Sequence, residues 1–229
     1  MNKSIVDPSN SFKLYFKDQS WAFKTSIGGI LNALAIILLT IHPIFFPVSV
    51  CLLAINYGYL VKCLNHRSSG NLELPEFNGF IDMMLTGLSW FALATCFYLI
   101  YFCLTGIILV TAEVFDAFNY LNQNFILFGS LTINLLFFLF LVTNYFLNFM
   151  VIDFSKSDKI SAINALKKII TKTKLYPKQF ILAFLLNLGI FSLSVMVPVM
   201  SIIGVFLLPS TLFVALIING LISYEIYES

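Results

Sequence analysis

Charge is scarce in this chain. Asp, Glu, Lys and Arg make up 10% of the 229 residues, against roughly 25% in a soluble domain. Hydrophobic residues account for 59%, and the mean hydropathy is +0.93. A water-soluble globule is excluded on this composition. The net charge of +2 is too balanced for a nucleic-acid binder. Cysteine is scarce too: Cys51, Cys63, Cys96 and Cys103 lie in or beside apolar tracts, with no C-x-x-C pair to suggest a disulfide framework. Cys63 and His66 form one C-x-x-H without a second pair, too little for a zinc site. Phosphate-binding, zinc-protease, nucleophile-elbow and dinucleotide motifs are absent. No cofactor or metal is expected, and the chain reads as non-enzymatic.

Long uncharged tracts are what the sequence has in their place. Four lack Asp, Glu, Lys and Arg: Thr25–Val61, Met83–Ala112, Ala117–Ile152 and Gln179–Tyr224. A bilayer core about 30 Å thick takes roughly 20 helical residues. As one helix the last tract would reach about 69 Å, so it must fold back. Proline removes a backbone donor and breaks helices, and it marks the reversals. Pro43 and Pro47 interrupt the first tract, and Pro198 and Pro209 the last, with Ser201 and Gly204 between. The reading is an all-α polytopic membrane protein, one transmembrane domain over 1–229. Its six spans fall near 25–41, 48–62, 87–110, 125–150, 180–197 and 208–224. A re-entrant pair is the alternative for the two short first spans. The polar first 24 residues and the long tract after them do not make a cleavable signal.

With six spans all thirteen basic residues fall on one side, and the opposite loops hold only Glu113 and Asp116. The positive-inside rule makes that side cytoplasmic, with both termini on it. The expected location is the cell (inner) membrane, multi-pass.

Each pair of spans follows a short amphipathic stretch. Asp7 and Pro8 open the first, near 8–20, where Phe12, Tyr15 and Phe16 share a face and Trp21 marks the interface. Pro75 opens the second, near 75–86, with Phe77, Phe80, Ile81 and Met84 on one face, and Glu76 complements its dipole. The third, near 156–174, begins with the capping pattern Ser155-x-x-Asp158 and carries Ile163, Leu166 and Ile170 on one stripe. Three interfacial helices on the cytoplasmic face, each feeding a hairpin, would make a threefold repeat. The lysines of the third suit anionic headgroups. The alternative is ordinary solvated linkers.

From Trp21 to Gly87 the features run in a recognisable order: Gly28-Gly29, a proline-broken hairpin, Gly58-Tyr59, a basic turn, Leu74-Pro75-Glu76-Phe77, then Gly87. This resembles the prokaryotic multi-span membrane proteins grouped as domain of unknown function 4013. The resemblance implies a membrane fold and a prokaryotic home, and it supplies no catalytic residues.

The residues expected to meet lipid or a partner are Trp21, Tyr59, Pro75, Phe77, Lys167, Lys168 and Lys172. Tyr59 is placed in an aromatic belt and Gly58 at a close helix approach. Ionisable residues are missing from span interiors, which weakens a proton- or sodium-coupled transporter. Asn32, Asn56, Asn134, Asn144, Asn148, Asn187 and Asn219 are read as interhelical glue. His42 is read as a turn cap. Two functions follow. One is a non-enzymatic envelope protein that interacts with membrane lipids or partner proteins. The alternative is a permease subunit of an ATP-driven transporter, with 8–20 as an elbow helix and 63–82 or 155–178 touching a cytoplasmic ATPase. Self-association fits the first reading, and a lipid-modifying enzyme ranks last.

Overall fold

The computed structural model describes residues 9–71, 73–119, 125–156, 162–199 and 202–228. Among them there is no strand. Eight helices follow in order: α1 (Ser9–Lys17), α2 (Trp21–Ile41), α3 (Phe46–Ser68), α4 (Phe80–Asn119), α5 (Phe125–Lys156), α6 (Ala162–Leu175), α7 (Pro177–Val199) and α8 (Ile202–Glu228). Six of them, α2, α3, α4, α5, α7 and α8, are long and apolar enough to cross a membrane. The 21 residues of α2 and 23 of α3 each reach about 30 Å, which favours two full crossings over a re-entrant pair.

The first reversal sits where proline places it. Between α2 and α3, Pro43 starts a 3-10 turn, and the His42 ring Nδ1 accepts from the Ile44 amide at 3.1 Å. That is the capping role expected of His42. Pro177 opens α7 directly after α6, where a missing amide costs nothing. Pro198 and Pro209, expected to mark the last reversal, instead lie inside α7 and α8, while the last membrane-length segment, Leu207–Glu228, starts close to the expected 208.

The described residues form two compact units. One comprises Met1–Phe91 with Asn148–Ser229, the other Ala92–Leu147. In the first unit α2 packs on α3 and α8, and α7 on α8. Glycines set these distances. A Cβ on Gly58 would lie 1.8 Å from the Met83 carbonyl oxygen, and one on Gly87 would lie 1.8 Å from that of Ala54. The pair lets the backbones of α3 and α4 touch, as the close-approach reading of Gly58 requires. Asparagine supplies the cross-links. Asn56 donates to the Gly28 carbonyl and to Asn32 Oδ1 at 3.0 and 2.8 Å, and Asn32 donates to the Pro209 carbonyl at 2.9 Å. Asn187 donates to Ser223 at 3.0 Å. In the second unit the Tyr98 hydroxyl donates to Asn144 Oδ1 at 2.9 Å, joining α4 to α5.

Short helices stand at two of the three expected positions, α1 and α6. The expected helix near 75–86 is a correction. Residues 73–79 are irregular, and from Phe80 the chain is already in α4. Pro75 has no amide to give, and Gly79 takes φ +73, which ends the loop at the first turn of α4. The order of surface helix plus hairpin therefore does not recur at the second position. Asp7, Pro8, Asp158 and Ser201 lie outside the described residues, as do the side chains of Glu113, Asp116 and Ile163.

Candidate functional site

Loop 73–79 is the best-fastened irregular segment of the first unit. Helix α3 ends in a Schellman turn: Gly70 at φ +84 donates to the Arg67 carbonyl, and the Asn71 amide to that of His66. Four backbone carbonyls of the segment that follows accept from side chains of α2 and α3. Lys24 Nζ donates to Leu74 at 3.0 Å and the Tyr59 hydroxyl to Pro75 at 3.0 Å. Lys62 Nζ donates to Glu76 at 2.9 Å and to Asn78 at 3.1 Å. These bonds satisfy groups that a helix would have satisfied internally.

The Tyr59 ring stacks on Phe77 with centroids 4.4 Å apart and lies 5.9 Å from Phe213. Tyr59, Pro75 and Phe77 are thus inside the first unit and packed on protein, not at a surface. Trp21 is half-exposed, edge-on to Phe16 at 5.2 Å. Cys63 is buried, and His66 instead meets Asn71 at 3.3 Å.

Lys24 also holds Asp18 at 2.6 Å, a pair whose side chains are only 6% and 7% exposed. Burial drives the Asp18 carboxyl upward, but hydrogen bonds from Lys24 and Ser20 outweigh it and hold it below the usual carboxylate value. The Tyr15 phenol, hydrogen-bonded to Thr25 at 2.8 Å, is pushed up to about 12 by burial.

A second constellation gathers at the end of α8, where basic side chains converge from three elements. Arg67 from α3 meets Glu225 at 3.4 Å, and Lys156 from α5 meets Glu228 at 2.8 Å. From α6, Lys168 meets Asp153 at 2.7 Å, and Lys172 donates to the Tyr227 carbonyl. The Tyr227 hydroxyl donates to Asp153 Oδ2 at 2.8 Å, so one carboxylate ties α6, α5 and α8 together. Lys168 and Lys172 also stand over the Tyr227 ring, at 5.0 and 4.2 Å from its centroid. Both contribute to fastening α6, Lys172 half-buried and Lys168 with its side chain still 48% exposed.

The rest of α6 turns outward. Ala165 and Ile169 are buried, whereas Lys167, Ile170, Thr171, Lys174 and Leu175 are exposed, followed by Tyr176 and Lys178. Leu175 is 66% exposed. Among the described residues Lys167, Lys174 and Lys178 have no acidic partner. Of the seven residues singled out in the sequence, only Lys167 presents an unpaired charge on this face.

Sequence reasoning passed over Asp18, Asp153 and Tyr227. Asp18 is six residues before Lys24 and reaches it only across a turn, and Asp153 is 15 residues before Lys168. One signal was available: Asp153 is the first charge after a long apolar tract, where an acid must find a partner.

A family model described as "Protein of unknown function (DUF4013)" matches residues 38–209. The stretch contains the fastened loop and all of α6, and stops at Pro209 within α8. No curated protein and no solved structure matches the chain.

Proposed function

Starting from a chain that belongs to the DUF4013 family, we propose a non-enzymatic, multi-pass protein of a prokaryotic cell membrane whose basic end engages anionic phospholipid headgroups. The observation that carries this reading is the outward face of α6 and the start of α7, where Lys167, Lys174 and Lys178 flank Ile170 and Leu175. Lysines without acidic partners beside exposed aliphatic side chains suit the boundary between phosphates and acyl chains. Each such lysine near an anionic leaflet is worth about 1 kcal/mol. In this reading α6 lies in the cytoplasmic headgroup layer and both termini are cytoplasmic. Supporting it, the ends of α3, α5 and α8 meet through Arg67–Glu225 and Lys156–Glu228, so their basic residues share one end of the first unit.

The test places an environment-sensitive fluorophore at Thr171→Cys in an otherwise cysteine-free chain, reconstituted in nanodiscs. Phosphatidylglycerol should shift the emission to the blue relative to phosphatidylcholine, and high salt should reverse much of the shift. Identical spectra in the two lipids would remove the proposal.

A further inference from the structure

Among the described residues, three ammonium groups surround the last turn of α8 and only two carboxylates pair with them. Lys156 has Glu228 and Lys168 has Asp153. Among the described residues Lys172 has no carboxylate within ion-pair distance; its contacts are the Tyr227 carbonyl and the face of the Tyr227 ring at 4.2 Å. It is half-buried, so water screens it poorly. Burial, opposed by Glu228 and reinforced by Lys168 and Lys156, draws the Lys172 amine below its ordinary value. Counted over the described residues, the cluster of Asp153, Lys156, Lys168, Lys172 and Glu228 holds one positive charge without a carboxylate partner. Lys172 also has three donors, of which a single one is used among the described residues.

We propose that Lys156, Lys168 and Lys172 form a binding site for a singly charged phosphate at the end of α8. The site deepens the lipid reading and rests on it for the source of the phosphate, the phosphodiester of an anionic phospholipid. One negative charge restores neutrality, and lysine ammoniums suit phosphate oxygens as point-charge donors. The Tyr224 and Tyr227 rings, already under Lys156 and Lys172, hold the ammoniums together without neutralising them. This site differs from the outward face of α6, because its lysines are already held by Glu228, Asp153 and Tyr227 before any ligand arrives.

The experiment follows thermal unfolding of the full chain in detergent while phosphatidylglycerol, phosphatidylcholine or inorganic phosphate is added. Phosphatidylglycerol should raise the midpoint more than phosphatidylcholine, whose choline brings a second cation to the cluster. Lys172→Gln should need about fivefold more phosphatidylglycerol for the same shift, and Lys172→Arg should keep the response. The triple variant Lys167→Gln, Lys174→Gln, Lys178→Gln should respond like wild type, which separates this site from the outward face. If inorganic phosphate gives the whole shift, the same site takes a free phosphate. Should Lys172→Gln fail to fold, Lys156→Gln is measured against the same criterion. A glutamine variant that responds like wild type, equal effects of the two lipids, or no shift with any phosphate overturns the site.

Discussion

Lys24 and Leu74 lie 50 residues apart, and the ammonium of the first donates to the carbonyl oxygen of the second at 3.0 Å. The same ammonium holds Asp18 at 2.6 Å. One side chain thus joins the turn between α1 and α2 to the loop that precedes α4. Replacing it leaves a carboxylate nearly out of water with no cation beside it. Lys24→Met should therefore lower stability by about 3 kcal/mol. The check is thermal unfolding in detergent, with the exposed Lys17→Met expected within about 0.5 kcal/mol of wild type. Equal midpoints for the two variants would show that the buried pair carries no weight.

Asp18 gives that junction a pH dependence of definite sign. Its carboxyl is held below the ordinary value because hydrogen bonds from Lys24 and Ser20 outweigh the burial that opposes them. The native state therefore binds its proton less readily than the unfolded chain does. The stabilisation is complete above the unfolded value of about 3.9 and is lost as pH falls through the lower folded value. Wild type should lose stability on acidification below about pH 4, and Asp18→Asn should lose less over the same window. Parallel curves for the two proteins would contradict this.

Gly58 and Gly87 should tolerate no methyl group. A Cβ at either meets a backbone carbonyl oxygen at 1.8 Å, and backbone cannot rotate away as a side chain can. Gly58→Ala and Gly87→Ala should each cost about 1–3 kcal/mol as α3 and α4 separate. Gly106→Ala, where a Cβ meets nothing within 4 Å, should be neutral or stabilise by up to about 1 kcal/mol through helix propensity. Loss of stability at Gly106 equal to that at Gly58 would mean that close approach is not the cause.

Topology is read by labelling single cysteines from outside intact cells. Ile44→Cys, in the 72%-exposed turn between α2 and α3, should label with a membrane-impermeant reagent, and Lys174→Cys should not. The reverse pattern would put the basic end outside and contradict the orientation.

Much of the fold was legible because a bilayer imposes simple rules. Uncharged tracts of known length pointed to six helices long and apolar enough to cross, and His42 capped the turn where Pro43 placed it, whereas Pro198 and Pro209 fell inside helices. The loop after α3 was not legible, since Pro75 suits a helix start as well as an irregular segment. What decides between them is that Lys24, Tyr59 and Lys62 take its carbonyls, and those partners lie 14 to 50 residues away. Tyr59 looked like a belt residue for the same reason: an aromatic near the end of a span fits an interface or a core, and its stacking on Phe77 and Phe213 is tertiary. On α6 the amphipathic pattern was visible. Which lysines face inward depended on Asp153 and Tyr227, from helices before and after it.

The most direct measurement is a mild-detergent purification of the tagged chain from its native membrane, with the bound phospholipid and protein both quantified. The proposed function predicts anionic phospholipid enriched well above its share of the surrounding membrane, and enrichment that falls when Lys167, Lys174 and Lys178 are changed to Gln. Phospholipid at the bulk ratio, together with an ATPase in stoichiometric amount, would contradict it and assign the chain to a transporter as its permease subunit.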